Sequence, residues 1–149
     1  MRFRNTTTVP DAWLRWALRA CQPSNVSNVD VWIKNGATGW HDWHGVCGWA
    51  GGRELRLRIT KDFQTDEPLP RPFRFHHTKG NGYLMHVELY TRKEVILFVI
   101  AHEMRHLWQC RVPRGWRVWG ARGRYSERDA DAHALQMVRR YRRGELPPV

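Results

Sequence analysis

His102 and His106 stand four residues apart, with Glu103 directly after the first, and these are the residues whose types and spacing could do chemistry. Side chains at positions i and i+4 of a helix project from one face, so the two imidazoles can share one tetrahedral ion. Glu103 lies about 100° further round the axis. That is too far to join them as a ligand but near enough to reach a water on the ion. The string is an HExxH arrangement, two zinc ligands and a general base. The competing reading is two core histidines satisfied by hydrogen bonds, but a buried charged trio without a metal is costly.

A catalytic zinc takes three protein ligands and keeps one position open for water. An HExxHxxGxxH extension would need glycine at 109 and histidine at 112, where the chain has Gln109 and Val112. A third histidine soon after the helix is also missing, since residues 111–125 contain none. The remaining solution is a glutamate on a following helix, and Ser126-Glu127-Arg128-Asp129-Ala130-Asp131 supplies Glu127. Asp131, one turn on, shares its face and is suited to accept the outer ring N–H of a ligating histidine, His102 in the first instance. Ala130, Ala132 and Ala134 would let the two helices approach closely. Asp129, Asp131 and His133 are the other candidates for the third ligand. Asp129 reads as a capping residue, and His133 points about 120° away from Asp131.

With AHEMRHLWQ followed by YSERDADAHAL, the chain resembles the gluzincin clan, the thermolysin-like zinc peptidases, in a reduced single-domain form. The resemblance covers residues 83–143 and otherwise rests on element order; similar strings occur in small bacterial and phage proteins. It implies a zinc metalloendopeptidase with His102, His106 and Glu127 as ligands, Glu103 as the base and Asp131 behind a ligand histidine. It also implies that the strand before the zinc helix lies along the cleft, where its edge would bind an extended peptide; a covered inner strand is the alternative. The oxyanion of such a reaction needs a donor besides the metal. Tyr125 is the first candidate, with His133 and Arg105 behind it. Peptide deformylases also carry HExxH, but Gly-Val-Cys-Gly-Trp around Cys47 does not match their cysteine-ligand motif.

The elements that must position these residues are legible in part. Residues 11–21 set Trp13, Trp16, Ala17 and Ala20 against Asp11, Arg15 and Arg19, an amphipathic helix. Alternation predicts strands at Val29–Lys34, Leu55–Thr60 and Tyr83–Tyr90. Residues 36–52 and 63–82, rich in Gly or Pro, read as long loops. Thr91-x-x-Glu94 caps a helix running to about Cys110, and Ser126-x-x-Asp129 caps another running to about Arg143, stopped by Gly144. The expected fold is α+β over one domain, residues 1–149: an N-terminal helix, a small, mostly antiparallel three-stranded sheet, the HExxH helix and a C-terminal helix bearing Glu127.

Composition bounds the rest. Hydrophobic residues make up 42% of 149, enough for a core without staples. No apolar run is long enough to span a bilayer and no signal peptide is evident, so a soluble, cytoplasmic monomer is expected. Cys21, Cys47 and Cys110 form no CxxC pair, so free thiols are the default. The net charge of +11, with 25 Lys and Arg against 14 Asp and Glu, favours acidic partners, and nucleic acid is a candidate besides a protein or peptide substrate. Arginine and aromatic residues interleave at 114–124, and a second basic run fills 139–143 as cations at a helix C-terminus would. His41, His44 and Cys47 have metal-like spacing but read better as a Trp-rich packed loop, and His76 and His77 as solvated loop residues.

Overall fold

The computed structural model describes residues 2–36, 46–60, 68–77, 85–113 and 126–148, with the backbone alone over 68–77 and 85–87. Its elements are β1 (Phe3–Asn5), α1 (Asp11–Cys21), β2 (Asp30–Gly36), β3 (Val46–Gly51), β4 (Glu54–Thr60), β5 (Pro68–His77), β6 (Met85–Thr91), α2 (Arg92–Gln109) and α3 (Glu127–Arg142). The class is α+β, but the arrangement differs from the expected three-stranded sheet. A four-stranded mixed sheet has the order β1-β2-β4-β3, and β5 and β6 form a separate antiparallel pair.

The parallel pairing of β1 with β2 follows from α1, which supplies the crossover that parallel neighbours require. β2 also runs parallel to β4, with Val31 opposite Leu55 and Ile33 opposite Leu57. These residues are fully buried, or nearly so, while Lys34, Arg56 and Arg58 of the alternate positions are exposed. Period-2 patterning therefore gives the sheet one packed and one open face.

Two strands lie in the stretches expected to be loops. β3 pairs antiparallel with β4 from Val46 opposite Ile59 to Gly51 opposite Glu54. Its two-residue turn is Gly52-Arg53, and Gly52 adopts a φ of 57°, where glycine carries no Cβ penalty. β5 pairs with β6, and its register breaks between Pro68 and Phe73. Prolines there donate no ladder hydrogen bonds, which explains both the irregularity and the loop-like sequence. His76 and His77 thus belong to a strand, opposite His86 and Met85.

α1 buries Trp13, Leu14, Trp16, Ala17, Leu18 and Cys21, and the Trp16 indole N–H donates to the Pro147 carbonyl at 2.6 Å. α2 is apolar nearly all round and buried along almost its whole length, packing on β3, β4, β6, α1 and α3. The Thr91 hydroxyl accepts from Glu94 N–H at 3.1 Å, as its capping pattern predicts. α3 starts at Ser126, whose Oγ accepts from Asp129 N–H, and ends before Gly144 at a φ of 68°. Ala130 and Ala134 are completely buried, so α3 lies close against α2. Among the described residues, no helix is long and apolar enough to cross a membrane.

Candidate metal centre

His102 and His106 are one turn apart on α2, and both are buried. Their Nε2 atoms stand 3.0 Å apart. Glu127, the first residue of α3, sets Oε1 2.8 Å from His106 Nε2 and Oε2 3.2 Å from His102 Nε2. Bonds of about 2.0–2.1 Å to a tetrahedral zinc put neighbouring ligand atoms about 3.3 Å apart, so these separations are close to those of a zinc site. The three residues form a group able to hold a metal ion.

The outer ring nitrogens fix the tautomers. His102 Nδ1 lies 2.8 Å from Asp131 Oδ1, and His106 Nδ1 lies 2.8 Å from Gln109 Oε1. The Gln109 amide is oriented by its other bonds, since Nε2 donates to the Ser126 carbonyl and to Asp129 Oδ2, at 2.8 and 3.0 Å. Its oxygen must therefore accept, also from Ser126 N–H at 3.2 Å. Each Nδ1 then carries a proton, and in the neutral rings both Nε2 lone pairs face one point beside a carboxylate. Such a donor set could hold a cation, and two imidazole nitrogens with a carboxylate are ligands that a zinc ion accepts.

Protonation follows the same logic. Burial lowers the His102 pKa, but the Asp131 and Glu127 carboxylates outweigh it and raise the value to about 10. Burial is also the largest influence on Glu103, whose pKa is raised although both histidines oppose the rise. A carboxylate so shifted is a better proton acceptor at neutral pH than an ordinary glutamate.

A cleft of about 400 Å³ opens over the group, bordered by His102, Glu103, His106 and Glu127 and by Cys47, Gly48, Trp49 and Ala50 of β3. Among the described residues, the strand that borders the cleft is β3; most of the Tyr83–Tyr90 segment expected there lies outside the residues whose side chains are described. Gly48 makes the close approach of β3 to α2 possible, since a Cβ there would stand 2.6 Å from Glu103 Cγ and 2.8 Å from Val99 Cγ1. Half of the Glu127 side-chain surface, 53%, remains exposed.

The structure thus brings together His102, Glu103, His106, Glu127 and Asp131. It assigns Asp129 and Arg105 elsewhere: the guanidinium donates to Asp129 at 2.7 and 3.2 Å and lies 3.6 Å over the Trp108 ring. His133 is outside the cleft lining; burial and then Arg105 lower its pKa to about 4. Tyr125, His41, His44 and the run 114–124 lie outside the described residues. Cys47 borders the cleft but is not among the converging ligands. Sequence reasoning missed Gln109 and Gly48. The available signal for the first was its position three residues after His106, which puts it on the same helix face.

In comparisons with known proteins, no family model, no curated protein and no solved structure matches the chain.

Proposed function

We propose that the chain is a zinc-dependent metallopeptidase of the gluzincin type that hydrolyses peptide bonds in protein or peptide substrates. The observation that carries this reading is the convergence of His102 Nε2, His106 Nε2 and the Glu127 carboxylate beside Glu103 in an open cleft. Two nitrogens and one carboxylate are the donor set of a hydrolytic zinc with a free coordination position.

When bound there, zinc would supply Lewis acidity, polarising a carbonyl and lowering the pKa of water. Glu103 takes the proton of the attacking water and delivers it to the departing amine, from its place beside both histidines in the cleft. Asp131 and Gln109 keep the two rings oriented with Nε2 inward. Among the described strands β3 is the last of its sheet, and its residues Cys47–Ala50 border the cleft, where an extended peptide would run alongside them.

The test is to measure bound metal and turnover of an unstructured protein substrate for the wild type and Glu103→Ala. About one zinc per chain is expected in both, with activity only in the wild type. Absence of zinc, or equal activity in the variant, overturns the proposal.

A further inference from the structure

The four-stranded sheet turns its second face away from α2, and that face has its own chemistry. Register places Arg4, Trp32, Arg56 and Trp49 in one row across β1, β2, β4 and β3. Lys34 and Arg58 stand opposite one another in the next row. Arg4, Lys34, Arg56 and Arg58 are all exposed, and a shallow depression of about 230 Å³ is lined by Trp32, Lys34, Glu54, Arg56, Leu57 and Arg58. Among the described residues the face carries two acids, Asp30 and Glu54, opposite one another in register, and Glu54 accepts from the Arg56 guanidinium at 2.8 and 3.2 Å. Cations dominate the remainder.

Trp49 is 51% exposed, which burial-driven folding does not explain. Arg56 lies 5.2 Å over its ring, and Lys34 lies 5.9 Å over Trp32. Strands are about 4.8 Å apart, so the two indoles, two strands apart, are separated by roughly 10 Å with a guanidinium between them. Rings spaced along a flat sheet and interleaved with cations form a stacking platform for unpaired bases, whose phosphates the cations neutralise. A duplex keeps its bases stacked inside and offers nothing to the rings.

We infer that the outer face of the β1-β2-β4-β3 sheet is a binding site for single-stranded nucleic acid, with bases stacking on Trp32 and Trp49 and phosphates meeting Lys34 and Arg58, while Arg56, paired with Glu54, stands between the rings. Trp49 also borders the cleft over the His102–His106–Glu127 group, whereas Trp32, Lys34 and Arg58 do not, so the variant at Lys34 and Arg58 tests the inference separately from hydrolysis. The site also gives part of the +11 net charge a location.

The experiment is a fluorescence-anisotropy titration of the full chain with labelled oligo(dT) of about 15 nucleotides, between roughly 50 and 200 mM salt. A blunt duplex of equal length is the comparison. The wild type binds the single strand more tightly than the duplex. Trp49→Ala weakens single-strand binding about tenfold. A Lys34→Gln/Arg58→Gln double variant, at two exposed positions, lowers the salt slope by about 1.4. Circular dichroism checks that each variant is folded; if Trp49→Ala is not, the double variant decides alone. No binding at the lowest salt, tighter duplex binding, or folded variants that bind like the wild type overturns the inference.

Discussion

Gln109 makes four hydrogen bonds from a completely buried amide: to His106 Nδ1, to both backbone groups of Ser126 and to Asp129. Replacing it with leucine leaves the His106 Nδ1–H and the Ser126 N–H unsatisfied, and frees the ring to turn. Zinc affinity of Gln109→Leu, measured by competition with a chromophoric chelator, is expected to fall about 10- to 100-fold, the range for residues that orient a ligand histidine. Asp131→Ala acts through His102 in the same way and to the same extent. Glu127→Ala removes a donor rather than its support, and a larger loss is expected. Full zinc affinity in Glu127→Ala would remove the gluzincin assignment while leaving the HExxH reading intact.

α2 and α3 run antiparallel, and polar contacts tie them at both ends. At one end stand Gln109 and Ser126; at the other, the Arg142 guanidinium donates to Glu94 at 2.8 and 2.9 Å. Burial pushes the Glu94 carboxyl up, but Arg142 and the Tyr90 N–H outweigh it, and its pKa is lowered below 4.5. Stability from a lowered carboxyl is present above its unfolded pKa and disappears as pH falls through the folded one. Arg142→Met should cost about 2 kcal/mol at neutral pH. In urea denaturation this difference should hold down to about pH 5 and shrink below pH 4.5. A difference that grows toward acid would contradict the pairing. Between β3 and α2, Gly48→Ala displaces either the strand or the Glu103 side chain. Turnover is expected to fall at least tenfold, the scale on which misplaced catalytic groups act, while bound zinc stays unchanged because the atoms nearest a Cβ at Gly48 belong to Glu103 and Val99 rather than to a ligand.

Over the whole molecule, the core formed by α1, α2, the packed sheet face and α3 includes Leu14, Ile33, Leu57, Phe98, Ile100, Leu107 and Val138, all almost completely buried. None of these is among the residues that could hold the metal. Chelation should therefore lower the melting temperature without unfolding the chain. Zinc at 100 times its Kd adds about 2.7 kcal/mol to a protein that binds it only when folded. Loss of far-ultraviolet dichroism on chelation at 25 °C would mean instead that the metal organises the fold.

The capped helices α2 and α3 were legible because their signals are local: Thr91 and Ser126 accept from residues three positions on, and Gly144 ends α3 with a conformation that glycine adopts freely. His102, Glu103, His106, Glu127 and Asp131 followed from helical periodicity once two helices were assumed to pack. β3 and β5 were not legible, because Gly48 and Gly51 weaken strand propensity and the prolines of β5 read as breakers; what makes them strands is pairing with β4 and β6, distant information in the chain. The parallel order β1-β2-β4, the placement of β3 along the cleft, and Gln109 as the support of His106 were likewise decided by tertiary contact. Residue types and short-range spacing selected the donors, whereas their convergence on one point depends on how α2, α3 and β3 pack, which no local pattern encodes.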